Sequence, residues 1–297
     1  MKKTIRITFS DFWGELIPDD NYFYNLLHTK YNVIIDNNNP DIVFYTVYSN
    51  THMLWDMNKV VKILYTGENV KPNYSECHYS LSFERNDDIR NYRLPLWAIV
   101  LNWFDRPYRE ERDQAYLHNI DLFLNKSDIY VKDKFCAFVA SNPIGKRMDF
   151  IPKLINKNYK KIDCGGKLFN NIPHICGRGD SIHKVDALNS YKFNIAFENA
   201  SNIGYCTEKI IHSMFRNSIP VYWGDSSVGI DFNTDSFINW HDYNDDESVI
   251  ERIIEIDSNK KLYKEMLHQP WFNDNKIPDF VKPESVLTWF EKIIDNI

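Results

Sequence analysis

Several carboxylates and cations in this chain directly follow apolar, strand-like runs, where a parallel α/β sheet gathers its ligands. After Ile63-Leu64-Tyr65 comes Thr66-Gly67-Glu68-Asn69. Its glycine permits a tight turn, and Glu68 puts a carboxylate at a sheet edge. After Ala137-Phe138-Val139-Ala140 come Ser141, Asn142 and Pro143, and Arg147 opens the next helix. After residues 193–197 come Glu198, Asn199 and a short loop ending Gly204-Tyr205-Cys206-Thr207-Glu208-Lys209. A helix starting near Thr207 would aim free N–H groups and the positive end of its dipole out of the sheet, which suits a phosphate. Lys209 adds a cation in the first turn, and Arg147 a planar, bidentate donor. Together they suit a diphosphate leaving group. Taken singly, each has an ordinary reading, a solvated surface cation or, for Glu68, a turn carboxylate capping an amide.

Other chemistries lack their residues. The chain has no G-x-G-x-x-G, no G-x-x-x-x-G-K-[ST], no G-x-S-x-G and no H-E-x-x-H. It also has no D-x-D, the paired carboxylates through which many sugar-nucleotide enzymes hold a metal, so no metal site or cofactor is expected, with metal stimulation left open. Gly165-Gly166-Lys167 reads as a connector more readily than as a phosphate turn, and Arg178-Gly179-Asp180 as a turn. The five cysteines, Cys77, Cys136, Cys164, Cys176 and Cys206, show no C-x-x-C spacing and read as free thiols of a reducing compartment. A net charge of −6 argues against nucleic acid as a partner. Neither a signal peptide nor an integral membrane segment is visible, so a cytoplasmic protein, with peripheral membrane attachment left open, is expected. Aromatic residues make up 15% of the 297, an excess assigned mainly to core packing.

The elements that would carry these residues interleave. Strands are predicted near residues 5–9, 33–35, 42–47 and 60–65, with helices at 22–31 and 52–58 between them. A charged stretch at 105–113 interrupts the pattern. A second series follows: strands at 137–140, 161–164, 193–197 and 219–223, with helices at 147–158 and 207–217. Two such βα-repeating halves predict an α/β protein of two Rossmann-like domains facing a cleft. The expected division is 1–125, 126–275 and a terminal helix in 276–297 that could cross back to the first half, with Val286, Leu287, Phe290, Ile293, Ile294 and Ile297 on one face.

Three segments in order, Tyr191-Lys192-Phe193-Asn194-Ile195-Ala196-Phe197-Glu198-Asn199, Gly204-Tyr205-Cys206-Thr207-Glu208-Lys209-Ile210-Ile211 and Ile219-Pro220-Val221-Tyr222-Trp223-Gly224, closely resemble the signature of the α-1,3-fucosyltransferases, glycosyltransferase family 10. Tyr65-Thr66-Gly67-Glu68-Asn69 resembles the family's acceptor-domain motif, and Phe138-Val139-Ala140-Ser141-Asn142 with Arg147 its first donor-domain motif. Phe12-Trp13-Gly14 and Leu94-Pro95-Leu96 resemble bacterial members.

The resemblance implies a GT-B fold, an N-terminal acceptor domain and a C-terminal GDP-fucose domain. By it, Glu68 takes the place of the catalytic base, and Arg147 and Lys209 meet the diphosphate. Asn199, Tyr205 and Glu208 match donor-site positions, Glu208 toward either fucose or ribose, and Ser141 and Asn142 lie beside the nucleotide. Trp13 is the candidate acceptor-side aromatic, a core role being equally open. Cys206 departs from the valine frequent in the family. The animal members' membrane anchor and the heptad tail of some bacterial members are not expected here. The implied reaction is inverting transfer from GDP-β-L-fucose to O3 of GlcNAc in a lactose- or N-acetyllactosamine-type glycan. A different linkage, a different GDP-sugar donor, or a non-catalytic glycan- or nucleotide-binding module are the alternatives.

Overall fold

The structure, a computed structural model, describes residues 2–12, 16–105, 118–126, 129, 131–175 and 181–297, with only the backbone at 181–183. Trp13, Cys176, the 178–180 triplet and most of the charged stretch at 105–113 lie outside the described residues. The chain forms two units, one of Met1–Ile99 with Pro278–Ile297, the other of Val100–Ile277.

The first unit is built on a sheet of six strands: β1 (Thr4–Ser10), β2 (Asn32–Ile35), β3 (Ile42–Tyr45), β4 (Val61–Tyr65), β5 (Tyr79–Ser82) and β6 (Asn91–Arg93). They lie in the order β2-β1-β3-β4-β5-β6, and every pairing is parallel. All four residues of the inner strand β3 are buried, as a parallel sheet covered on both faces requires. Helix α1 (Tyr22–His28) starts where the Asn21 side chain accepts from the Phe23 and Tyr24 amides, and helix α2 is the single turn Leu96–Ile99.

The last helix, Pro283–Ile294, belongs to this unit. Phe290 is fully buried with its ring 5.8 Å from Phe44, and Phe44 stacks on Phe9 at 5.4 Å and on Phe23 at 5.1 Å. Trp289 meets Tyr79 and Tyr92 edge-on or tilted. Much of the aromatic excess is therefore core, as its large apolar area favours.

The second unit carries a sheet of five parallel strands: β7 (Lys134–Phe138), β8 (Ile162–Cys164), β9 (Tyr191–Phe197), β10 (Ile219–Trp223) and β11 (Ile238–Asn239), in the order β11-β10-β9-β7-β8. Its helices are α3 (Asp121–Leu124), α4 (Arg147–Asn156), α5 (Ser181–Leu188), α6 (Glu208–Phe215), α7 (Asp246–Ser258) and α8 (Lys260–His268), which makes the terminal helix of the first unit α9.

The sequence placed the division near Asn125, whereas contacts put it at Val100. The reason is local: Leu101 pairs with His118, and Phe123 packs against Phe215 and Phe272, so Leu101, His118 and Phe123 are buried in the second unit. The helix expected at 52–58 is a single 3₁₀ turn, Thr51–Leu54. Among the described residues no helix is long and apolar enough to cross a membrane.

Because Phe290 closes an aromatic stack begun by Phe9, Phe23 and Phe44, Phe290→Ala should destabilise the first unit by about 3–5 kcal/mol. Thermal unfolding should show a transition at clearly lower temperature. An unchanged melting curve would contradict this.

Candidate active site

The carboxyl edge of the second sheet gathers the sequence's cations around a carboxylate that the sequence reading passed over. Glu198, which directly follows β9, is fully buried. Its Oε1 accepts from the Thr207 amide at 2.7 Å and the Thr207 hydroxyl at 2.8 Å, and its Oε2 lies 2.9 Å from Lys209 Nζ. Thr207 is the N-cap of α6, yet its hydroxyl makes no capping bond and serves Glu198 instead. Lys209 Nζ also donates to that hydroxyl at 2.8 Å and lies 3.7 Å from Glu208. Burial alone would lower the Lys209 pKa, but Glu198 and Glu208 outweigh it and raise it, so the ammonium stays charged. Glu208, against a burial effect of the opposite sign, is held at about 2 by Lys209, His212 and Lys184.

Arg147 stands beside this cluster in a different condition. It is 2% exposed, and its Nη2 donates to the Phe197 carbonyl at 2.8 Å and to Asn199 Oδ1 at 2.9 Å. Nη1 reaches the Asn142 carbonyl only at 3.4 Å, and Nε has no partner. Among the described residues no carboxylate forms an ion pair with Arg147, and its pKa is lowered by burial, with Glu198 and Tyr205 opposing. A buried guanidinium served by neutral oxygens, with one donor unused, is a cation that an incoming anion can complete. Gly145, in left-handed backbone at φ 70°, lets this loop pass: a Cβ there would fall 2.8 Å from the Asn199 carbonyl oxygen.

The structure thus joins Arg147 with Asn142 and Asn199, and Lys209 with Glu198, Thr207 and Glu208. Tyr205 is buried behind them; its carbonyl takes a 3.4 Å contact from the Tyr222 hydroxyl. Ser141 is exposed on the loop after β7 and bonds to none of them among the described residues. Gly166 is a packing glycine, since a Cβ there would lie 2.3 Å from the Ala140 carbonyl oxygen. Among the described residues no group of three or more His, Cys, Asp or Glu could hold a metal ion.

In the first unit Glu68 follows β4. The Thr66 hydroxyl accepts from the Glu68 amide and donates to its carbonyl, both at 3.1 Å, and Glu68 Oε1 accepts from the Tyr48 hydroxyl at 3.0 Å. Leu96 lies against Gly67, so tightly that a Cβ would sit 3.2 Å from it. The Thr66-Gly67-Glu68 turn and the Leu94-Pro95-Leu96 motif are therefore one packed feature.

Residues 7–100 match the family described as the alpha-(1,3)-fucosyltransferase FucT N-terminal domain, and residues 129–291, more than half of the chain, match glycosyltransferase family 10 (fucosyltransferase), C-terminal. The chain belongs to glycosyltransferase family 10. Family members similar to it include the alpha-(1,3)-fucosyltransferase FucT of Helicobacter pylori, 28% identical over 98% of this chain and 66% of that protein. A putative fucosyltransferase of Acanthamoeba polyphaga mimivirus is 34% identical over 53% of this chain and 27% of that protein. The chain therefore spans less than two thirds of the length of these relatives. Crystal structures of an alpha1,3-fucosyltransferase align at a TM-score of 0.80 with 27% identity, over 99% of this chain and 91% of that one, and at 0.76 with 26% identity for the form with GDP-fucose. The fold is accordingly GT-B, α/β throughout.

The missed residue in this family-10 site is Glu198. It sits inside the quoted signature, but only its burial and bonds reveal that it holds the start of α6. Glu198→Gln would leave Lys209 without its buried counter-charge and should cost about 2 kcal/mol, below the usual cost of breaking a buried pair because Lys209 is partly exposed. Amide hydrogen exchange at 207–209 should rise together with the loss of stability. Exchange there at the wild-type rate would show that Glu198 does not hold this turn.

Proposed function

We propose that the chain transfers L-fucose from GDP-β-L-fucose to O3 of GlcNAc in an N-acetyllactosamine-type acceptor, with inversion at the anomeric carbon. One observation carries this reading: Arg147, buried and without an ion pair among the described residues, waits beside Lys209 and the start of α6. A diphosphate leaving group gathers negative charge as its bond to the sugar breaks, and fixed cations and amide dipoles in a dry site lower that barrier most effectively. Crystal structures of the alpha1,3-fucosyltransferase relative include one with GDP and one with GDP-fucose, which supports the same donor here.

In this mechanism the acceptor hydroxyl attacks the anomeric carbon through an oxocarbenium-like transition state. The new C–O bond forms as the bond to the diphosphate oxygen breaks. The hydroxyl proton passes to Glu68, and GDP leaves with the electron pair. Proton removal by a positioned carboxylate is worth about 10²- to 10⁴-fold. Arg147 and Lys209 compensate the leaving charge, while Asn199 fixes the Arg147 fork. Ser141, Asn142, Tyr205 and Glu208 are assigned to the nucleotide and sugar, and protein cations rather than a required metal meet the diphosphate. The alternative of a non-catalytic binding module is disfavoured because Glu68, Arg147, Glu208 and Lys209 are all present.

GDP release from GDP-fucose, followed with and without lactose, N-acetyllactosamine and the type 1 isomer, tests the reading: release should depend on acceptor and be fastest with N-acetyllactosamine. No acceptor-dependent release would overturn it. Glu68→Gln should abolish transfer with GDP affinity nearly unchanged, and Glu68→Gln with undiminished transfer would remove Glu68 from the mechanism. Arg147→Ala should raise the donor KM or lower kcat by roughly 10²-fold or more, on the scale of losing one oxyanion donor; unchanged donor kinetics would refute its assignment.

A further inference from the structure

Asp11 directly follows β1 at the carboxyl edge of the first sheet, in left-handed backbone with φ 62°. Its side chain is not spent on solvent. Oδ1 accepts from the Ser49 hydroxyl and, at 2.9 Å, from the Thr51 amide. Oδ2 accepts from the His52 amide at 2.8 Å and from His52 Nδ1, which must be the protonated ring nitrogen because a carboxylate only accepts. The Asp11 carbonyl takes the Thr46 hydroxyl. Burial alone would raise the Asp11 pKa, but these donors bring it down to about 2, which favours the ionised carboxylate. His52 is itself fixed: its ring stacks on Tyr45 at 4.0 Å, and Nε2 lies 3.7 Å from Glu76.

Donors from Thr46, Ser49, Thr51 and His52 thus converge on one residue and pin both ends of the connection between β3 and the 3₁₀ turn. Tyr48 lies inside that pinned span. Its ring is half exposed, and its hydroxyl donates to Glu68 Oε1 at 3.0 Å. The other carboxylate oxygen, Oε2, takes no hydrogen bond from any described residue.

We infer that Tyr48 is a positioning residue for Glu68, holding Oε1 so that Oε2 is presented to the acceptor hydroxyl, and that Asp11 and His52 fix Tyr48 by clamping its loop. The inference rests on Glu68 being the base. A glutamate side chain left to itself samples several rotamers, and ordering it costs free energy that a bound neighbour can supply in advance. A phenol suits this task because its hydroxyl can donate one hydrogen bond to a carboxylate oxygen, which only accepts. Misplacement of a reacting group by about 1 Å is enough to cost 10²-fold.

Tyr48→Phe removes only the hydroxyl of a half-exposed residue and should fold normally. It should lower kcat about 10- to 100-fold with the KM for GDP-fucose within about twofold of wild type and an unchanged melting temperature. In a Glu68→Asp background, where the shorter side chain withdraws the carboxylate from the phenol, Tyr48→Phe should add little, because the two changes break one interaction. Asp11→Asn should lower kcat in the same direction by a smaller factor, and adding Tyr48→Phe to it should be less than additive.

A wild-type kcat for Tyr48→Phe alongside inactive Glu68→Gln would overturn the inference and leave the base assignment standing. Full activity of Glu68→Gln would instead defeat the base assignment itself. Effects of Tyr48→Phe that are fully additive with Glu68→Asp, or confined to the KM for the glycan acceptor, would also overturn the inference, by making Tyr48 a contact for the sugar.

Discussion

A single buried carboxylate, Glu198, governs the second unit's site. Taking an ionised glutamate fully out of water is costly unless each oxygen is answered, and here the answers come from the amide and hydroxyl of Thr207 and from Lys209. Because those partners are the residues that begin α6, satisfying Glu198 decides where the helix starts and which way its first turn faces. It also requires Gly224, since a Cβ at that position would lie 2.5 Å from the Glu198 side chain. The strand end, the helix start and the turn after β10 are thereby fixed together.

The two cations of this site are prepared differently. Lys209 is charge-balanced before any ligand arrives, whereas Arg147 is held by the Phe197 carbonyl, by Asn199 and weakly by Asn142, all uncharged. An entering diphosphate would therefore gain most from Arg147 and share Lys209 with Glu198. The first unit repeats the device with Asp11, a carboxylate just past a strand end that gathers the donors of a neighbouring loop. In both units, then, a side chain that does no chemistry in the proposed reaction sets the place of one that does.

Much of this was legible in the sequence wherever a signal was local. The alternation of strands and helices, the turns carrying Glu68 and Arg147, and the helix beginning after Thr207 all follow from periodicity and from residue types near strand ends. Strands β5 and β6 were not, because Tyr79–Ser82 and Asn91–Arg93 are short and mostly polar, and only the parallel pairing of β5 on β4 and of β6 on β5 makes them strands. The turn at Thr51–Leu54 looked helical, but the backbone is extended at Trp55 and the Asp56 side chain captures the Asn58 amide, so the helix does not continue. The domain boundary was misplaced for a similar reason: nothing in Val100-Leu101 announces that its partner is His118. Glu198 stood in plain view within the signature, yet burial is a property of the fold and could not be read from its neighbours. In each case the missing information is a contact that only the folded chain makes.

The terminal helix α9 carries a consequence for how the molecule is made. The core of the first unit contains Phe9, Phe23 and Phe44, yet it is closed by Trp289, Phe290 and Ile294, which leave the ribosome some 240 residues after Phe44. Val100–Ile277 can gather its own strands while the six-stranded sheet is still waiting for its last helix. While Val100–Ile277 is being made, the face of that sheet that Phe290 covers has no terminal helix to pack on it. Of the two units, the one whose strands come first in the chain is completed by a helix that follows the whole of the other.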